Sequence, residues 1–247
     1  MTKDQSAGRF DGHDPVTGDT AGVPWQGRTL TGTGFDGDDG RADAGLYDAL
    51  HTGARDADLV AAVAKARLIV PIVAVPGESA SSDMAAVTLS SPDGRKALPA
   101  FSSTDLLTSW DSSARPVPVT AQRAALAAVQ EGCDVVVLDV GTDHGAELRT
   151  SMVWALAMGR EWVPSHRDPH VQAAVQAAVR AEEDIGAWSL APGEGGALVI
   201  EVALRSGLST STINEILQRV GSAIATDGEA RARIDAVSFR LRGNPTM

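Results

Sequence analysis

The stretch that decides the fold is residues 120–138, TAQRAALAAVQEGCDVVVL. Thr120 can cap a helix whose Leu126 and Val129 face inward, and Gly132 is placed to end that helix. The Val-Val-Val-Leu run that closes the stretch is nearly continuous in apolar residues, which is typical of a central strand covered on both faces. These residues therefore predict a helix packed on a buried strand.

Working outward toward the amino terminus, Leu68–Val75 is predicted as a buried strand. Pro71 within it removes a hydrogen-bond donor, which indicates an edge strand or a bulge. Residues 84–90 and 95–101 flank Ser91-Pro92-Asp93-Gly94, a sequence typical of a type I turn, so they predict a β-hairpin.

Two helices and an extended segment complete this half. A helix begins at Asp56 or Asp58 and runs to about Arg67. A short helix carrying Trp110 follows the capping residues 102–104. Residues 115–119, RPVPV, must be extended because each proline disfavours helix at the residue before it.

Toward the carboxyl terminus, helices are predicted at 148–159 and from Asp168-Pro169, where Asp caps and Pro opens the helix. Strands at 188–191 and 198–204, a helix capped by Ser211 or Thr212, and a strand at 234–241 form a β-β-α-β unit. The predicted fold class is α/β (α+β), with a mixed β-sheet flanked by helices and a smaller C-terminal β-β-α-β unit.

Composition divides the chain into three predicted parts. Residues 1–43 are rich in Gly and Asp and are expected to be a disordered acidic tail, whose Trp25 and Phe35 could dock onto the folded body or onto a partner. Residues 44–182 are expected to form the main domain, and residues 183–247 a small α+β domain.

Charge and length exclude several classes of protein. Among 247 residues there are 32 acidic and 21 basic side chains, giving a net charge of -11. No basic run offsets it, so a nucleic-acid partner is not expected. The longest apolar run, 68–76, is far shorter than the roughly 20 residues that span a bilayer. With no signal sequence visible and Cys133 as the single cysteine, we expect a cytoplasmic protein.

The block ALPAFSS at 97–103, followed by Trp110 and by ARPVPV at 114–119, resembles the SseB family, the "enhanced serine sensitivity" proteins, in the form found in high-GC Gram-positive bacteria. The resemblance covers about residues 23–139, and the last third is similar to the looser C-terminal region of that family. No established reaction or ligand comes with the resemblance.

Two features raise enzymatic alternatives. Asp139, Asp143 and His144 follow a predicted strand, where α/β proteins commonly place ligands; the other interpretation is a polar loop in which Asp139 caps the next turn. Cys133 could serve sulfur transfer, but it follows a helix C-terminus and precedes an acid, which disfavours the thiolate. His166 and His170 have the spacing of a metal-binding pair. A helix is predicted to begin between them, so the two imidazoles do not share one helix face.

The preferred binding site is the segment 101–119, with Phe101, Trp110, Asp111 and Arg115 as its residues. Trp and Arg are frequent interface anchors, and the Pro-Val-Pro strand could present an edge to a partner peptide. Alternatively, Trp110 packs in the core while Arg115 pairs with Asp111.

The favoured function is thus a non-catalytic protein-interaction or regulatory module that binds an unknown protein partner. The alternative is an enzyme or sulfur-transfer accessory that uses Cys133 or the Asp139/Asp143/His144 loop. No cofactor or metal site and no membrane or nucleic-acid partner is expected, and a small-molecule ligand stays open.

Overall fold

The computed structural model describes residues 34–76, 82–92 and 94–242. Among the described residues, 34–38 and those from Asp39 onward belong to two different units. In the first of these, the Asp38 N–H donates to the Phe35 carbonyl over 3.0 Å. Trp25 and most of the predicted tail lie outside the described residues.

The described residues form eight α-helices and ten strands, with single 3-10 turns at Ser165–Arg167 and Glu194–Gly196. The helices are α1 Ala44–His51, α2 Asp56–Lys65, α3 Thr104–Trp110, α4 Ala121–Gln130, α5 Thr150–Ala157, α6 Pro169–Arg180, α7 Thr210–Thr226 and α8 Gly228–Ala232. The strands are β1 Arg67–Pro76, β2 Ser82–Ala86, β3 Leu89–Ser90, β4 Lys96–Ala100, β5 Arg115–Thr120, β6 Val135–Leu138, β7 Ala146–Leu148, β8 Ile185–Pro192, β9 Leu198–Leu204 and β10 Val237–Arg242.

The strands belong to three sheets. The first sheet is antiparallel, in the order β2-β1-β5. The second sheet has the order β3-β4-β6-β7 and is mixed, because β4 and β6 run parallel. In the third sheet, β9 pairs antiparallel with β8 and parallel with β10. The protein is therefore α+β, and its C-terminal order is the predicted β-β-α-β with a second, short helix, α8, before the last strand.

Two main clusters of buried side chains hold the helices and sheets together. One lies among α1, α2, α4, α5 and the first two sheets. The other lies between the third sheet and helices α6 and α7, where Val171, Val175 and Val179 of α6 meet Leu198, Ile200 and Val202 of β9. The domain boundaries after residues 43 and 182 stay predictions.

Helix α4 shows why the residue-level prediction for this helix was partly wrong. Its cap is Thr120, as predicted, but Leu126 is 41% exposed. The buried face consists of alanines instead, at 121, 124, 125 and 128. Because α4 packs along α5, small side chains let the two helices approach closely, and the leucine is left outside.

Pro71 lies in the middle strand of its sheet, so the edge expectation was wrong. The strand tolerates a proline here because an N–H at residue 71 would point toward β2 and not toward β5. In the β1–β5 register Pro71 faces Pro116, and toward β2 it faces Val87, one residue beyond the end of that strand. The Val87 N–H donates to the Pro71 carbonyl over 3.1 Å. Because β2 has already ended at this point, the ladder requires no hydrogen bond donated by residue 71.

Three smaller expectations were also wrong. The cap of α7 is Ser209, whose hydroxyl accepts from the Thr212 N–H, rather than Ser211 or Thr212. Helix α2 begins after Arg55 without a side-chain cap. Residues 84–90 divide between β2 and β3, which belong to different sheets. The predicted hairpin at 91–94 is confirmed, and the Gly94 N–H donates to the Ser91 carbonyl.

Candidate functional site

Phe101 forms the buried base of the predicted binding segment. It is 0% exposed and packs with Ile69, Leu107 and Ala114. Its ring centroid lies 5.3 Å from that of Trp110, which is half-buried at the end of α3. Phe101 thus supports the tryptophan from beneath and is not itself available to a partner.

Asp111 holds the turn between α3 and β5. Its carboxylate accepts the Ser113 N–H over 2.8 Å and the Ser113 hydroxyl over 2.6 Å. These hydrogen bonds lower the pKa of Asp111. Arg115 is exposed and forms no ion pair with any described residue, so the alternative pairing of Arg115 with Asp111 is not made.

The outer edge of β5 lacks donors at its prolines. Both the N–H and the C=O of Ile69 bond to Phe101, so they point away from β5 and the facing pair Ile69–Pro118 is non-hydrogen-bonded. Two residues along, Pro71 and Pro116 form the same kind of pair. The backbones of Pro116 and Pro118 therefore point outward, where they offer carbonyls but no N–H. Among the described strands this edge is open, and it is poorly suited to pairing with a peptide strand.

The three residues of the Asp139 loop point to different neighbours. The Asp139 carboxylate is buried and accepts the Ser102 N–H over 2.7 Å and the Ser102 hydroxyl over 2.8 Å. His144 is exposed, and its ring centroid lies 3.9 Å from that of His51. Asp143 is exposed. Among the residues that the structure describes, no group of three or more His, Cys, Asp or Glu could hold a metal.

The other candidate side chains are Cys133, His170 and His166. Burial, with help from Glu131, raises the pKa of the half-buried Cys133 thiol, which disfavours the thiolate. The His170 Nε2 lies 3.4 Å from an Asp227 carboxylate oxygen. Partial burial, reinforced by the neighbouring Arg167, lowers the pKa of His166.

A cleft of about 670 Å³ lies between α5 and α8 and was not predicted from the sequence. One wall is the α5 face that carries Trp154, together with Met158 directly after the helix, and the opposite wall is α8 with the residues after it. The polar, charged and large apolar side chains that line the cleft are Ser151, Trp154, Met158, Arg160, Glu161, Trp162, Asp168, Glu229, Arg231, Arg233 and Asp235. Two tryptophans close together in an apolar helix and its following loop were the available signal.

Polar bonds fix the floor of this cleft. The Asp235 carboxylate accepts the Ser151 N–H over 2.8 Å, the Ser151 hydroxyl over 2.9 Å and the Arg149 Nε over 2.9 Å. The Trp162 indole N–H donates to the Ser151 hydroxyl over 3.0 Å. Arg149 also reaches Asp56 of α2 over 2.7 Å. The floor is thereby tied to the main core.

Comparison with known proteins bears on part of this arrangement. Residues 45–155 match the model of the SseB protein N-terminal domain. The match supports the SseB resemblance of the sequence, and it contains the Phe101–Arg115 segment and most of the α5 wall of the cleft. The α8 wall lies outside it. Searches of curated proteins and of solved structures found no match.

No helix in the described part of the chain is long and apolar enough to cross a bilayer.

Proposed function

We propose that this protein is a cytoplasmic, non-catalytic interaction or regulatory module of the SseB type, and that it binds a protein partner through Trp110, Asp111 and Arg115. The observation that carries the proposal is that Arg115 is exposed and forms no ion pair with described residues, five positions after a tryptophan whose ring packs on the buried Phe101 ring. Tryptophan and arginine are among the residue types that most often supply binding energy at protein interfaces.

The chemistry of the surrounding residues is consistent with binding rather than turnover. Asp111 is engaged by Ser113, and Asp139 is engaged by Ser102. Because the β5 edge lacks donors at its prolines, we propose that the partner is held by side chains rather than by strand addition. An acidic or aromatic partner surface complements Arg115 and Trp110.

The test is affinity capture from a lysate of the source cell at modest salt, with Arg115→Glu compared to the unaltered protein. Arg115 is exposed, so this change leaves the fold intact. Arg180→Glu is the matched control, because Arg180 is exposed at the end of α6 and forms no ion pair with described residues. Trp110→Ala together with Arg115→Ala extends the test, with circular dichroism as the folding check.

A near-stoichiometric partner that is lost with Arg115→Glu and kept with Arg180→Glu supports the proposal. Its affinity for purified protein then follows by calorimetry. Retention of the partner by both Arg115 variants, or equal loss with the control, overturns this surface.

A further inference from the structure

We propose that the cleft between α5 and α8 is a binding site for a small organic anion with an aromatic or apolar body. This inference is independent of the partner surface at Trp110 and Arg115. The volume of about 670 Å³ lies within the range of small-molecule sites, which is roughly 300–1,000 Å³.

The α5 wall supplies the apolar half of the site. Trp154 is 38% exposed and Met158 is 53% exposed, although most of α5 is buried. Both side chains line the cleft, together with Trp162 on its floor. Large apolar groups on a concave surface provide a face on which a flat, apolar ligand can pack.

The floor offers little further hydrogen bonding to a ligand. The Asp235 carboxylate is neutralised by Arg149 and bound by Ser151, whose hydroxyl also accepts the Trp162 N–H. With these groups already paired, the ligand meets the floor chiefly through the Trp162 ring, and the walls determine which charge is favoured.

The α8 wall has an excess of positive charge. Its guanidinium groups belong to Arg231 and Arg233 and its carboxylate to Glu229, while Arg160 and Asp168 line the cleft from outside α8 and pair with Glu229 and Arg233. Glu229 is shared by Arg160 over 2.9 Å and Arg233 over 3.1 Å, while Arg233 also binds Asp168 over 2.8 Å.

Arg231 is therefore the cation left over on this wall, exposed and without an ion pair among the described residues. An anionic group on the ligand would form an ion pair with Arg231. Glu161 is the opposing charge in the lining of the cleft. It is exposed and also makes no ion pair with described residues, so its removal should strengthen anion binding.

A pair of dyes tests both halves of the proposal. 1-Anilinonaphthalene-8-sulfonate has an apolar aromatic body and one sulfonate, and N-phenyl-1-naphthylamine has the same body without the charge. Each is titrated into the full chain by fluorescence, and the stoichiometry is measured by calorimetry. Near-ultraviolet circular dichroism confirms that every variant keeps native packing, because a loosened core also binds the sulfonate dye.

We expect saturable 1:1 binding of the sulfonate dye, at least about threefold tighter than that of the neutral dye. Arg231→Gln should weaken only the sulfonate dye, by about three- to tenfold, and Glu161→Gln should tighten it. Trp154→Ala should weaken both dyes. Arg180→Gln is the matched control and should change neither.

Equal affinities for the two dyes, or no effect of Arg231→Gln, overturn the requirement for an anion. Absence of saturable binding, or dye binding that Trp154→Ala leaves unchanged, overturns the site itself.

Discussion

Asp139 illustrates how one side chain in the matched segment serves the fold. It is buried at a backbone φ of 48°, and its carboxylate accepts from both the N–H and the hydroxyl of Ser102. Asn tolerates this left-handed backbone better than Ala does, and it keeps one acceptor for the Ser102 N–H.

We therefore expect Asp139→Ala to lower the free energy of unfolding by about 1–3 kcal/mol, because a buried donor loses its acceptor. Asp139→Asn should cost less. Urea denaturation measures both, and Asp143→Ala, an exposed change in the same loop, is the control. Equal stability of Asp139→Ala and the unaltered protein would contradict this structural role.

Cys133 tests the sulfur-transfer alternative. Burial raises its pKa, so at neutral pH the reactive thiolate is depleted relative to a free cysteine. Iodoacetamide at pH 7.5 should label native protein more slowly than N-acetylcysteine, and unfolding in urea should abolish the difference. Labelling as fast as the free thiol would instead favour a reactive cysteine.

The ionisation of Glu201 should make the stability of the third sheet depend on pH. Its pKa is lowered first by the Ser189 hydroxyl, which donates over 2.9 Å, and then by Arg242 and Arg240. The folded pKa lies below the unfolded one. The contribution of Glu201 is thus complete above the unfolded pKa, about 4.3, and is lost as pH falls through the folded pKa.

Glu201→Gln should lower stability at pH 7 and flatten the decline in stability between about pH 5 and pH 3. Urea denaturation at several pH values checks this. Glu183→Gln, an exposed change nearby, should leave the decline unchanged. An equally steep decline in Glu201→Gln would show that other carboxylates carry the acid sensitivity.

At the scale of elements, the prolines of β5 protect an exposed edge. Pro116 and Pro118 point their backbones away from β1, so the described edge lacks N–H groups at two positions that could template another strand. Pro116→Val together with Pro118→Val restores both donors.

We expect that double variant to self-associate, as detected by light scattering over a range of protein concentrations. Val117→Thr is the control, because the backbone of residue 117 already bonds to β1 and its change adds no donor to the edge. A monomer at all concentrations, with fold intact, would show that the prolines do not protect this edge.

Local signals explain which elements could be predicted. The Thr120 cap, the Asp168-Pro169 helix start and the turn at 91–94 each act within a few residues, and the structure has all of them. Leu126 and Pro71 were misplaced because their positions depend on the neighbouring helix and on where β2 ends, which spacing along the chain does not encode.

Of the two candidate sites, one could be predicted from the sequence and the other could not. The binding segment from Phe101 to Arg115 is contiguous, so its aromatic and cationic residues could be selected from sequence. The cleft could not be found, because its walls come from residues 150–163 and 228–235, which only tertiary packing brings together.

At the scale of the whole chain, Arg149 connects elements that are distant in sequence. Its guanidinium bonds to Asp56 of α2 and to Asp235 before β10, and lies 5.8 Å from the centroid of the Trp162 ring. It also fills the space at Gly196, where φ is 82° and any Cβ would overlap the guanidinium. One side chain therefore joins the main core to the turn between β8 and β9.

The last prediction follows from this position. The Arg149 side chain is only 18% exposed, so Arg149→Met leaves the Asp235 carboxylate poorly compensated in a partly buried site. We expect a loss of about 1–3 kcal/mol and, by calorimetry, separate melting of the third sheet ahead of the main core. Arg160→Met is the control, since its pair with Glu229 is exposed and should contribute at most about 1 kcal/mol. If Arg149→Met melts in one transition at the original temperature, the two cores are coupled by apolar packing rather than by this arginine.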